Sequence, residues 1–310
     1  FIGSLQYVLE HGQQDDWFND KTIVTLSLIS FFSLFFFVWR QLTYKYPIVN
    51  LKVLKDTNLR VGTILSFIMG FGLYGSTFII PIYTQSILGW TATDAGLLLM
   101  PSSLMTAFMM PIIGQLLQKG VPQKYLVAIG FLMFFFFTFW MYNVMTPDTG
   151  EEYMYWPLII RGLGLGLLFV PITTLSLSTL KGKSIGEGAA FTGMMRQLGG
   201  SFGIAIITTF IARFSQEHRV NLIANIDATK TQVQDRITQL QHGFMAKGFS
   251  SNEALAKAHK IIDFSVNKQS TVLSYMDIFL YLGLLFLVCI PIILLIKNNK
   301  NKVNISEAMH

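Results

Sequence analysis

The amino-acid sequence predicts an all-α, polytopic membrane protein, and three observations carry that reading. Apolar residues make up 52% of the 310-residue chain and charged residues only 13%, against about 25% charged in an ordinary soluble domain. The deficit is concentrated in uncharged runs, and seven of these reach the ~20 mostly apolar residues that a helix needs to cross a bilayer. Lys and Arg alternate between successive connections as the positive-inside rule requires.

The predicted spans are Thr22–Leu42, Leu59–Tyr83, Thr93–Leu117, Tyr125–Met145, Trp156–Leu180, Gly188–Ala212 and Val272–Ile296. Phe1–Leu9 reads as the tail of a further apolar helix, so an N-terminal portion is expected upstream. Between the first two spans lie Arg40, Lys45, Lys52, Lys55 and Arg60. Later turns on the same side carry Lys119 with Lys124 and Lys181 with Lys183, and the tail carries Lys297, Lys300 and Lys302. The short loops opposite carry only Lys21, among acids such as Asp15, Asp16, Asp94, Asp148 and Glu151. The basic side is therefore the expected cytoplasmic side, and the C-terminal tail lies there. Placed this way, the net charge of +6 describes a membrane topology rather than a nucleic-acid surface.

One outer connection is long. Arg213–Thr271 spans 59 residues with eight basic ones, and loops of that length cross regardless of charge. Within it Val233, Ile237, Leu240 and Phe244 recur at helical spacing, and Ser250 with Glu253 forms a capping-box pattern ahead of Ala254–Ile262. Two amphipathic helices joined by a Lys247–Ser251 turn are predicted. They pack on the protein's own outer surface or offer a docking site to a partner. On the inner side, Ile48, Leu51, Val53 and Leu54 alternate with Lys52 and Lys55, as in a short helix lying on the membrane surface.

Pro81, Pro101, Pro111, Pro171 and Pro291 fall inside spans, where each removes a helix hydrogen bond and favours a kink. Gly162/Gly166 and Gly199/Gly203 are GxxxG pairs, and Gly70, Gly72 and Gly75 cluster in the second span. Such spacings let backbones approach closely. Helix packing or gating is the expected role of Gly162, Gly166, Pro171, Gly199, Gly203, Gly114 and Lys119.

Catalytic chemistry is hard to place on this chain. The five histidines lie outside the predicted spans without metal-ligand spacing, so neither a metal nor a cofactor is expected. Gly162–Gly166 lies in an apolar helix with no preceding strand, which excludes a nucleotide loop. Cys289 is the single cysteine and cannot form a disulfide within the chain. Acids are missing from span centres. Asp94 and Asp277 are expected near outer helix starts, where a carboxylate suits the N-terminus.

Two arginines fall inside spans. Arg161 is about 7–8 Å in from the outer end and reads either as snorkelling outward or as lining a cavity. Arg196 is about 12 Å in from the inner end, close to the ~15 Å half-thickness of the hydrocarbon core. Thr192, Gly199 and Gly203 share its face, which therefore points to a helix or a water-filled cavity rather than lipid. It reads either as a structural residue bonded to a neighbouring helix or as part of a solute path. Ser76, Thr77 and Ser102 are among the other polar groups in spans. Gln197, Gln85, Tyr83 and Tyr74 join the two arginines as candidates for a solute pathway, since an unpaired amide is costly in lipid.

Several stretches together resemble the EmrB/QacA-type fourteen-span drug:proton antiporters of the major facilitator superfamily. They are Gly3-Ser4-Leu5-Gln6 with Trp17-Phe18, Pro47-Ile48-Val49-Asn50-Leu51, Gly89-Trp90-Thr91-Ala92 and Pro111-Ile112-Ile113-Gly114. Arg161-Gly162 with Phe169-Val170-Pro171 follows, and Arg196-Gln197-Leu198-Gly199-Gly200-Ser201-Phe202-Gly203 is the most specific. The resemblance implies a major-facilitator-type C-terminal six-helix bundle over 58–296, with the long outer loop at 213–271. Ahead of it would stand the end of one linker helix with an outer loop (1–21) and a second linker helix with its cytoplasmic connection (22–57). A cytoplasmic tail (297–310) would follow. The antiporter motif and the proton-binding acids would belong to the N-terminal half. After Gly114, Gln118 and Val121-Pro122 depart from the superfamily's basic gating motif, which Leu116, Lys119 and Lys124 fit only loosely.

The resemblance implies a secondary active multidrug exporter, a transporter and not an enzyme. It would exchange amphipathic or hydrophobic drug-like solutes for protons by alternating access in a bacterial inner membrane. A periplasmic adaptor and an outer-membrane channel are the partners it suggests. The competing reading is a membrane scaffold or assembly subunit whose long outer loop recruits other proteins.

Overall fold

The computed structural model describes residues 1–13, 15–43, 54–226 and 231–294, and shows helices and no strand among them. In chain order these are α1 (Ile2–His11), α2 (Lys21–Thr43), α3 (Thr57–Ser86), α4 (Ala92–Gln118) and α5 (Gln123–Val144). They continue as α6 (Glu152–Leu177), α7 (Lys183–Asn225), α8 (Thr231–Met245) and α9 (Ser251–Leu294), with a 3-10 turn at Trp17–Asn19. Seven of them are long and apolar enough to cross a membrane, namely α2 to α7 and α9. They coincide with the seven apolar runs of the sequence, and the chain is an all-α, multi-pass membrane protein.

Local chemistry sets the helix starts. Asp56 accepts from the Leu59 amide at 2.9 Å to open α3. At α4, the Thr91 hydroxyl accepts from the Asp94 amide while the Asp94 carboxylate takes the Thr91 amide, a full capping box. Asp20 accepts from the amides of Thr22 and Ile23 at 2.6 and 3.1 Å. The turn after α4 relies on Gly120 at φ +85°, a conformation a β-carbon would strain. Gly114 lies inside α4, within the predicted span.

The buried centre is aromatic. Phe131, Phe134 and Phe137 of α5 meet Phe279 and Phe286 of α9, all fully buried, and the Phe134 and Phe286 rings stack at 4.3 Å. α3 packs most extensively on α7, α5 on α6 and α9, and α4 on α6, while α1 packs against α2 and α7. α2 instead leaves Phe31, Phe32, Phe35 and Trp39 exposed, the pattern of a helix that faces acyl chains.

The outer segment differs from the sequence expectation. α7 has 43 residues and α9 has 44, each about 65 Å long against a hydrocarbon core of ~30 Å. Of the two amphipathic helices predicted there, only α8 stands alone. The Ser250–Glu253 box is present, but it starts α9, which continues into the last span. The physical reason is that 212–225 and 262–271 contain neither Gly nor Pro. Hydropathy marks where lipid ends, whereas nothing in these stretches ends the helix. Asp277 is consequently the 27th residue of α9 rather than a helix-start acid. It receives His218 of α7 at 2.7 Å. The predicted inner surface helix, apart from Leu54 and Lys55, lies outside the described residues.

Candidate functional site

The site forms where α3 and α7 come closest. A β-carbon placed on Gly70 would lie 2.0 Å from the Arg196 carbonyl oxygen, and one on Gly199 2.1 Å from that of Phe67. On Gly203 it would lie 2.9 Å from the carbonyl oxygen of Phe71. The two backbones are thus in direct contact, which only glycine permits. Gly200 faces the Tyr74 ring, where a β-carbon would sit 2.3 Å away.

From this seam emerge the polar groups. The Tyr74 hydroxyl donates to the Gln197 side-chain carbonyl at 3.0 Å, so the structure joins two of the predicted pathway residues. Beside them, the Arg196 guanidinium lies over the Phe169 ring of α6, 4.4 Å from its centroid. Arg196, Gln197, Tyr74 and Phe169 are all partly buried. Among the described residues no acid pairs with Arg196. A charge near helix centre costs about 2.5–3.5 kcal/mol on insertion scales, and a cation–π contact returns about 0.5–2 kcal/mol. The ring therefore offsets only part of the cost. Phe67 and Phe202, their rings 5.8 Å apart, continue the apolar surface of the α3–α7 seam.

Arg161 has a different environment. It is 3% exposed, which rules out outward snorkelling in this conformation. Its Nε donates to Ser76 Oγ at 2.9 Å, one terminal nitrogen to Ser102 Oγ at 3.0 Å, and the other to Thr77 Oγ1 and to the Leu73 carbonyl at 3.3 Å. Ser76 and Thr77 donate onward to Gly72 and Leu73 of their own helix at 2.7 Å. Each hydroxyl spends its proton on α3 and offers lone pairs to the cation. The guanidinium so ties α6 to α3 and α4 through neutral dipoles, with the Phe137 ring of α5 6.0 Å away.

The remaining candidates are spread across the fold. Tyr83 is fully buried and donates to the Thr146 carbonyl at 2.6 Å, in the aromatic core rather than beside Arg196. Gln85 is exposed at the outer end of α3. A β-carbon on Gly162 would be 2.3 Å from the Ser102 carbonyl oxygen, and one on Gly166 2.6 Å from Met109 Cβ, so both seat α6 on α4. Pro171 is buried within α6, which continues past it. Gly114 faces open space, and Lys119 is the exposed C-cap of α4. A cavity of about 700 Å³ opens between α1, α2 and Met194, with Phe36, Phe37 and Arg40 in its wall, and includes none of these candidates. No metal-holding cluster of His, Cys, Asp and Glu occurs among the described residues.

Sequence reasoning passed over Phe169 as a site residue, although the Phe169-Val170-Pro171 stretch was conspicuous. It also missed the contact from Ser201 to Glu10 of α1 at 3.2 Å. No sequence signal pointed to that contact, since the pair is 191 positions apart.

Comparison with known proteins fits this architecture. Residues 22–204 match the model of the Major Facilitator Superfamily. The chain is 31% identical over 298 residues to the fatty acid resistance protein FarB of Neisseria gonorrhoeae, covering 96% of this chain and 56% of that protein. It is 28% identical over 240 residues to the multidrug export protein EmrB of Escherichia coli K12, covering 77% and 47%. With the probable multidrug resistance protein EmrY of the same organism it shares 30% over 227 residues, covering 73% and 44%. The chain spans about half the length of these relatives. An all-helical bundle with seven candidate spans, closed by glycines at the α3–α7 seam, and a family match across most of those spans lead to one assignment: the chain belongs to the major facilitator superfamily, in the EmrB/QacA-type branch.

Proposed function

We propose that this chain is the C-terminal portion of a proton-coupled exporter that moves amphipathic or hydrophobic solutes by alternating access. The observation that carries the reading is the cluster of Arg196, Gln197, Tyr74 and Phe169 at the junction of α3, α6 and α7. A charge and an amide pair placed on an aromatic surface within the membrane suit solutes that are part polar and part greasy. The names of FarB, EmrB and EmrY, a fatty acid resistance protein and two multidrug proteins, support that solute class. Arg161 with Gly162, Gly166 and Pro171 would hold the bundle, and Gly199 and Gly203 would set the seam. Residues 58–296 form the transporter bundle in this reading, with 1–57 as linker. The membrane is a bacterial inner membrane and the C-terminus is cytoplasmic. Proton-binding acids would lie in the upstream half.

The test is transport in everted membrane vesicles carrying the full-length protein. Proton-driven accumulation of a lipophilic dye, abolished by collapsing the proton gradient, is expected. Accumulation that ignores the gradient refutes coupling, and none at all refutes export.

A second reading draws on the outer projection. α7 and α9 extend well beyond the bilayer and leave Val220, Ile223 and Phe264 exposed. A periplasmic adaptor leading to an outer-membrane channel would find its surface here. Replacing Val220, Ile223 and Phe264 together by Ser is expected to abolish co-purification with such a partner while leaving vesicle transport intact. Unchanged co-purification rejects this surface.

A further inference from the structure

The two intramembrane arginines differ in what engages their guanidinium groups. Arg161 has every nitrogen of its guanidinium engaged by hydroxyls and a carbonyl. Arg196 has no hydrogen bond from its guanidinium and no carboxylate partner among the described residues, only the Phe169 ring at 4.4 Å. A ring beneath a guanidinium occupies its face. The N–H edge stays available, and that edge forms the fork that takes a carboxylate with two parallel hydrogen bonds.

The neighbours add to the fork. The Gln197 carbonyl is already taken by the Tyr74 hydroxyl at 3.0 Å, which leaves its NH₂ as a further donor on the adjoining position of α7. The described acids nearby are accounted for elsewhere. Glu10 receives Gln6 and Ser201, and Glu187 lies nine positions earlier on α7, about 13 Å along the axis. Around the fork the surface is aromatic and apolar, with Phe169, Phe67 and Phe202 only partly buried.

We infer that Arg196, with the Gln197 amide beside it, is the specificity-determining contact for a solute that carries one carboxylate on an apolar body. This rests on the exporter reading and adds to it the charge of the preferred solute. The same chemistry would suit a carboxylate side chain from the upstream half, and the experiment separates that source from the solute.

The test uses the full-length protein in everted vesicles with three probes of different charge: dodecanoate, its neutral methyl ester, and the cation ethidium. Wild type is expected to transport dodecanoate and ethidium. Arg196→Gln should lower the ratio of dodecanoate to ethidium transport about tenfold or more, while Arg196→Lys keeps an intermediate ratio. Equal loss of both probes assigns Arg196 to an internal carboxylate or a helix lock and overturns the inference. So does a dodecanoate rate that the substitution leaves unchanged. Wild type that moves ethidium but not dodecanoate rejects this inference alone, whereas wild type that moves neither removes the exporter reading and this one with it. A measurement on the purified wild type guards against variants that fail to insert. Dodecanoate should raise its thermal midpoint and methyl dodecanoate should not, and equal shifts from the two overturn the carboxylate contact.

Discussion

Arg161 and Arg196 bring the same charge into the apolar slab and meet opposite surroundings. For Arg161 the cost of desolvation is offset by dipoles that already belong to α3, because Ser76 and Thr77 keep their own helix bonds whether or not the cation is there. Removing the charge therefore leaves both α3 hydroxyls bonded and releases only Ser102 of α4, while an apolar side chain of similar reach recovers the desolvation term. Arg161→Met is expected to unfold within about 1 kcal/mol of wild type or later. Arg161→Lys is expected to unfold earlier, since a compact ammonium keeps the charge but cannot reach three hydroxyls on two helices. Thermal unfolding of the full-length protein in detergent ranks the two, and the opposite order would mean that the fork's bonds outweigh its burial. None of this network was legible from sequence. Ser76, Thr77 and Ser102 were visible as polar residues in spans, but they lie 85, 84 and 59 positions from Arg161. Depth along the helix alone left snorkelling open.

At the level of elements, the spans were legible because bilayer thickness imposes a run length on the sequence, and glycine pairs marked the close crossings. The structure distinguishes glycines that the sequence could not rank. At Gly199 a β-carbon would meet the Phe67 backbone at 2.1 Å, whereas at Gly114 nothing lies within 4 Å. Gly199→Ala must push α3 and α7 apart and is expected to cost about 1–3 kcal/mol. Gly114→Ala should be neutral or gain up to about 1 kcal/mol in helix propensity. Unfolding midpoints of the two variants check the pair, and equal effects would remove the seam as the cause. α2 offers a pH-dependent case. The amides of Ile23 and Thr22, with the Thr22 side chain, hold the Asp20 carboxyl below its usual value of 3.8. A depressed folded pKa stabilises above the unfolded value and loses that contribution as pH falls through the depressed one. Asp20→Asn, which keeps a capping oxygen, should thus match wild type near neutrality and lack its acid-side decline below about pH 4. Unfolding scans from pH 3 to 7 read the difference. A parallel acid-side decline in both proteins would assign it to other carboxylates.

For the whole molecule, hydropathy gave the membrane part correctly and misread what lies beyond it. Apolar runs report contact with lipid, while helix continuity depends on breakers, and none occurs in 212–225 or 262–271. The outer segment is accordingly not a loop hanging from the bundle but the upper half of α7 and α9. Four contacts tie the two helices together there: His218 with Asp277 at 2.7 Å, Arg219 with Asp263 at 2.7 Å, and Ser215 with Ser270 at 3.4 Å and with Thr271 at 3.3 Å. Unbroken helices clasped in this way are expected to move as one body with the spans they continue. Any rocking of the bundle would then be carried without loss to the outer tip, where a partner could sense it. Spin labels at Val220 and Phe264, which are 66% and 69% exposed on α7 and α9, test this in the full-length protein with Cys289 replaced by Ala. One narrow distance distribution is expected, unchanged by adding ethidium. Removing the two charged contacts together, His218→Ala with Arg219→Ala, should broaden it. A distribution that is already broad, or that shifts with solute, would mean that the projection flexes separately from the membrane bundle and cannot transmit its motion.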